Sequence, residues 1–119
     1  MAREGKTNLL YVITKLELGG AQKQLLSLMR NLNKEQFRLF LFTGGDGLLI
    51  KDALDIPYLK LRRCRFLERA IHPFKDLLVL IDLFLFIKKN NIVIVHTHSS
   101  KAGILGILAA KIAGVRVVI

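Results

Sequence analysis

The sequence predicts an α/β fold, a parallel sheet with helices on both faces. Three observations predict it. Short apolar runs rich in β-branched and aromatic residues alternate with stretches whose apolar positions recur at helical spacing. The strand-like runs are apolar on successive residues, the pattern of strands buried on both faces. Strands separated by helices need crossover connections, and right-handed crossovers put helices on both sides of a parallel sheet. The chain has 119 residues, 52% hydrophobic and 24% charged. That composition is globular, and the length suits one domain with a real core.

The elements follow in order. "NLLYVIT", Asn8 to Thr14, is the first strand, apolar and β-branched. A Gly19-Gly20 pair breaks it. From Ala21 the apolar positions Ala21, Leu25, Leu28, Met29 and Leu32 give a helix. "FRLFLFT", Phe37 to Thr43, is the second strand, and Gly44 to Gly47 is a loop. "LLIKDAL" gives a short helix. "IPYLKL", Ile56 to Leu61, gives a third strand, with Pro57 tolerated only at its start or on an edge. A basic stretch, "RRCRFLERAIHP", comes next. Pro73 suits the first turn of the following helix, where its missing N–H is no loss. That helix ends near Lys88 and Lys89, cations that complement its dipole, with Asn90 or Asn91 as the left-handed stop. Ile92 to His98 is the fourth strand. Ser99 and Ser100 are good N-caps for a helix closed by Gly114, and "VRVVI" begins a fifth strand.

Several function classes fall away. The start, "MAREGKTNLL", is too polar for a signal peptide. The most apolar run, Leu77 to Ile87, is about half the ~20 residues of a spanning helix, and Asp82 interrupts it. Cys64 is the single cysteine, so no internal disulfide forms, and a reducing compartment fits. The formal charge is +10, from 19 Lys and Arg against 9 Asp and Glu. Such an excess points to an anionic partner, although charge alone says nothing about fold. There is no RNP-like strand and no zinc knuckle, so nucleic acid is not the expected partner.

Ligands of parallel sheets bind at the carboxyl ends of the strands, near the point where strand order reverses. The residues to watch are therefore Gly19 and Gly20, Gly44 to Gly47, and His96 to Lys101. Glycines at a helix N-terminus let a phosphate approach unpaired backbone N–H groups. They also make a tight turn that binds nothing, and local pattern leaves both readings open. The segment "LGGAQKQ" has neither the dinucleotide fingerprint nor the P-loop spacing. Alternation points His96 and His98 to one side of their strand. The two could bind a metal, although no third ligand is close in sequence, or one could hydrogen-bond a substrate hydroxyl at the sheet's carboxyl edge. His96 reads as a strand-end histidine satisfied near the core, and His98 as the functional one. Lys101 in the first turn of a helix makes most sense beside a bound anion, with a solvated lysine as the alternative. The small residues Ala102, Gly103, Gly106, Ala109, Ala110 and Ala113 imply close packing of their helix on the sheet. Arg62, Arg63, Arg65 and Arg69, with Phe66 and Leu67 among them, could rest on an anionic bilayer or form a solvated loop.

"LYVITKLELGGAQKQLLSLMRNL" resembles the opening of family-4 glycosyltransferases, where a strand ends at a Gly-Gly-Ala-Glu or Gly-Gly-Ala-Gln turn. "IVHTHSSKAGILGILAAKIAGVRVVI" resembles the family's later segment, a strand ending in His-x-His, a helix and the next strand. The resemblance implies a GT-B enzyme of two Rossmann-like domains with the active site between them. It implies sugar transfer from a nucleotide-sugar to an acceptor with retention of configuration, and no required metal or other cofactor. Gly19 and Gly20 would approach the donor diphosphate. His98 matches the histidine that lines the acceptor and reacting-sugar site, and Ser99, Ser100 and Lys101 would border the acceptor pocket. The acceptor would be lipid-linked or a polysaccharide, as in cell-envelope polysaccharide biosynthesis. The protein would be cytoplasmic, at the inner face of an anionic membrane.

On this reading residues 1–119 are a partial N-terminal, acceptor-side domain. The second domain, with its phosphate-gripping Arg and Lys and its E-x7-E glutamates, is not in the sequence. The fragment alone is expected to be inactive, and its unfinished sheet is expected to favour self-association. Two other classes stay in view. One is a non-catalytic flavodoxin-like module that binds a phosphate ligand; the other is a basic peripheral-membrane protein.

Overall fold

The structure, a computed structural model, describes residues 7–14, 20–31, 35–44, 50–56, 58–68, 72–98 and 100–119. Among these the elements are β1 (Thr7–Ile13), α1 (Gly20–Asn31), β2 (Phe37–Gly44), α2 (Ile50–Leu54), β3 (Leu59–Cys64), α3 (Pro73–Lys89), β4 (Ile94–His98), α4 (Ser100–Ala113) and β5 (Val117–Val118). The strands form one sheet in the order β3-β2-β1-β4-β5, and every neighbouring pair is parallel. The arrangement is Rossmann-like, as the alternation of elements predicts.

Side-chain alternation splits the core into two layers. Leu9, Tyr11 and Ile13 of β1 pack with Leu39 and Leu41 of β2 under Leu25, Leu26 and Met29 of α1. Leu10 and Val12, with Phe40 and Phe42, face the other way, toward Val79, Leu83 and Ile87 of α3 and Leu105, Ala109 and Ala110 of α4. Burial on both faces explains why β1 and β2 read as unbroken apolar runs.

Helix ends follow the sequence signals. Pro73 is the first residue of α3. Asn91 takes the left-handed conformation at φ 53°, and Gly114 does so at φ 79°. After α3, Ile92 N–H donates to the Ile87 carbonyl and Asn91 N–H to that of Lys88. After α4, Val115 N–H donates to Ala110 and Gly114 N–H to Lys111. Both are Schellman ends, with an apolar residue stepping back into the core. Asn8 fastens the first of them, donating from Nδ2 to the carbonyls of Asn90 at 2.9 Å and Asn91 at 3.1 Å.

The third strand corrects the sequence reading. It runs over Leu59–Cys64 and not Ile56 to Leu61. Ile56 is buried ahead of it, and Pro57 lies outside the described residues. Charged residues end an apolar pattern but do not end an edge strand, which keeps one side toward water. Lys60, Arg62 and Arg63 accordingly sit within β3. Arg62 is held by Asp82 of α3 through three contacts, Nη2 to both carboxylate oxygens at 3.0 Å and Nε to Oδ1 at 3.2 Å. The aspartate that interrupts the most apolar helix is thus the partner of an edge-strand arginine. The basic stretch is not one interleaved surface either, because Leu67 is buried in the core; Arg69 lies outside the described residues.

Candidate functional site

β1 is the strand from which the chain leaves in one direction, to β2 and β3, before α3 carries it back to β4 on β1's other side. Strand order therefore reverses between β1 and β4, and the crevice of such a sheet opens at their carboxyl ends. The register sets Ile13 beside His98 on one flank and beside Thr43 on the other. α1 begins at Gly20, after β1, and α4 begins at Ser100, after β4. The backbone thus brings Gly20, His98, Ser100 and Lys101 to one edge of the sheet, on the two strands that flank the reversal. Gly19 and Ser99 lie outside the described residues, as do Asp46 and the glycines at 45 and 47.

Helix N-termini carry unpaired N–H groups and partial positive charge. Those of α1 and α4 enter this edge from adjacent strands, so it is suited to an anion. No group of three or more His, Cys, Asp or Glu side chains among the described residues is placed to hold a metal ion.

Two features of the edge go beyond the sequence reading, which has Gly44 there only as the start of a loop. Gly44 is the last residue of β2 and not the start of a loop. Its N–H donates to the Thr14 carbonyl at 2.9 Å. A Cβ there would meet the carbonyl oxygens of Thr14 and Leu67, so the segments that follow β1 and β3 converge on the end of β2 where only hydrogen fits. The second feature is Thr43, which is fully buried, with a hydroxyl oxygen that has no hydrogen-bond partner among the described residues. No spacing in the sequence shows the packing at either position, because both depend on neighbours far along the chain.

His96 lies two residues below the edge, across from Tyr11 in the register. The two rings are 5.2 Å apart and tilted by 39°. Burial lowers the imidazole from its ordinary value and raises the Tyr11 phenol. This is the core-side histidine that the sequence suggests. On the opposite face of β4, Thr97 sits under α4. A Cβ on Gly106 would lie 2.5 Å from the Thr97 methyl, so α4 approaches β4 at glycine distance. Close packing thus explains Gly106 and the buried Ala109 and Ala110. Burial pushes the Cys64 thiol up, and the nearby Asp82 carboxylate acts in the same direction.

With this geometry in place, the comparisons with known proteins bear on it directly. Residues 18–119 match the model of Glycosyltransferase Family 4. The chain belongs to this family. It is 41% identical over 105 residues to the Escherichia coli UDP-Gal:alpha-D-GlcNAc-diphosphoundecaprenol alpha-1,3-galactosyltransferase, covering 86% of this chain and 26% of the relative. The chain thus spans about a quarter of that curated relative's length. MurG of Acinetobacter baumannii has the same fold, with a TM-score of 0.74 at 16% identity over 94% of this chain and 34% of that one. The matched span of the family model contains Gly19, Gly20 and the whole His98–Lys101 segment.

Proposed function

We propose that the chain is the acceptor-side part of a retaining glycosyltransferase and acts in sugar transfer together with a second α/β domain. The observation that carries this is the family match over residues 18–119, on a sheet whose register sets the His98 end of β4 beside the end of β1. In this reading the anomeric carbon of a nucleotide-sugar parts from its diphosphate oxygen and joins an acceptor hydroxyl, whose proton passes to the departing diphosphate. Backbone N–H groups at Gly19 and Gly20 bind the diphosphate, where a helix N-terminus favours the charge released on bond cleavage. His98 holds the acceptor hydroxyl against the reacting sugar, and Ser99, Ser100 and Lys101 border the acceptor. The donor is a UDP-sugar and the acceptor a lipid-linked diphosphosaccharide of cell-envelope polysaccharide assembly. The relative's printed donor and acceptor support both assignments. Its α-linked product supports retention, since UDP-galactose is itself an α-glycoside.

The reaction takes place in the cytoplasm, where nucleotide-sugars are made, at the inner face of the membrane that holds the acceptor. It needs no metal, so EDTA should leave the rate unchanged. The test of the site is galactose transfer from UDP-galactose to a polyprenol-diphosphate acceptor by the two-domain enzyme. His98→Ala should lower kcat/KM by about a hundredfold, the scale on which misplacing a reacting group is felt, and His96→Ala by far less. Equal and negligible losses would overturn the role given to His98. Tight nucleotide-sugar binding by this chain alone, seen by calorimetry, would instead mark a stand-alone ligand-binding module.

A further inference from the structure

α3 and α4 each bury one side against the sheet, yet their outward sides are apolar too. On α3, Phe74, Leu77, Leu78, Ile81 and Leu85 are between 46% and 85% exposed. Their steps of three, one, three and four residues draw one stripe along nearly the whole helix. On α4, Ile104, Ile107, Leu108 and Ile112 repeat the pattern with exposures of 40% to 63%. The two helices pack side by side, so the stripes form one surface. Exposed apolar patches of this extent mark contact sites.

The charges at the C-terminal ends of these two helices are of one sign. Lys88 and Lys89 end α3, Lys111 ends α4, and Arg116 follows it; all four are exposed. No carboxylate pairs with any of them among the described residues. A cleft of about 280 Å³ opens between the two helix ends, with Lys88, Asn91 and Arg116 on its lips and Ile87, Ile92 and Ala113 beneath. The acids on or just before α3 are engaged: Asp82 binds Arg62, Glu68 contacts Lys75 and His72, and Asp76 accepts from the His72 N–H. No helix of the described residues is long and apolar enough to cross a membrane.

We infer that the outer face of α3 and α4 lies on an anionic bilayer, its apolar stripes among the acyl chains and Lys88, Lys89, Lys111 and Arg116 at the headgroup phosphates. Apolar side chains rimmed by cations match the order of layers in such a membrane. A second copy of the chain is a poorer occupant, because a two-fold contact would bring two surfaces of like charge together. The inference also moves the contact away from the Arg62–Arg69 stretch, whose first arginine is committed to Asp82. It names the surface for the membrane association proposed above. Vesicle binding needs no sugar transfer, so failure here would leave the transferase reading standing.

The test is co-sedimentation of the chain with vesicles of phosphatidylcholine alone and of phosphatidylcholine with an equal part of phosphatidylglycerol. Binding should favour the anionic vesicles and fall as salt rises. Lys88→Glu combined with Lys89→Glu should weaken it at least tenfold, as should Ile81→Asp combined with Ile112→Asp. Far-UV circular dichroism of both variants should match the parent, since all four side chains are exposed. Absence of binding to anionic vesicles would overturn the inference, as would variants that bind as well as the parent. So would concentration-dependent self-association that Ile81→Asp abolishes in a chain that ignores vesicles.

Discussion

The two helical layers make a direct comparison. α1 is finished on its outer side: Lys23, Gln24, Ser27, Arg30 and Asn31 face water, and Leu28 is its one large apolar exception among the described side chains. α3 and α4 bury their inner sides as completely, yet carry nine large apolar residues outward. A helix that is apolar on every side normally lies in an interior. The difference teaches that burial against the sheet and compatibility with water are separate properties. The first layer has both, and the second has only the first.

Substitutions can break or sharpen that contrast. The largest effects belong to the inner sides, which should behave alike. Met29→Ala in the first layer and Leu83→Ala in the second should each cost about 2–5 kcal/mol, since both side chains are fully buried. Urea unfolding would show a real difference between inner faces if one loss were far smaller. Next comes helix–sheet distance. Gly106→Val should destabilise by about 1–3 kcal/mol, because the new side chain must displace the Thr97 methyl beneath α4. A neutral result would mean that α4 can lift from β4, weakening the description of this layer as tightly seated.

Smaller effects follow at the margins. Arg62→Ala should cost only about 0.2–1 kcal/mol, the range for exposed ion pairs, because that guanidinium is half exposed. The last prediction concerns acid and the first layer. Burial holds the His96 imidazole below its ordinary value of 6.5. The folded chain therefore keeps it neutral while the unfolded chain takes up a proton. Its stabilising share is complete above about pH 6.5 and is lost as pH falls through the lower folded value. Thermal melts between neutral and mildly acidic pH should show a smaller loss for His96→Phe than for the parent.

Much of this architecture was legible in the residues. The runs at Asn8–Thr14 and Phe37–Thr43 are apolar throughout because both of their faces are covered, a local property that a sequence displays. The stops at Asn91 and Gly114 were legible for the same reason, since a left-handed residue is a local demand. The limits of β3 were not. Lys60, Arg62 and Arg63 look like a loop until the strand is known to be an edge and Asp82 is known to lie across from Arg62. Gly44 and Thr97 are likewise defined by partners far away in the chain. At the candidate site, the order of motifs located the edge that holds His98. The close convergence of Thr14, Gly44 and Leu67 exists only in three dimensions.

The central position of β1 also affects how the molecule assembles. β1, β2 and β3 can pair through short connections, but β4 must cross back over both neighbours to reach β1. Asn8 meets Asn91 over a separation of 83 positions. Closing so long a loop costs entropy before its contacts repay it, which slows folding. The edge that holds His98 is therefore complete only once β4 has paired with β1. The first three strands alone would leave that edge unformed.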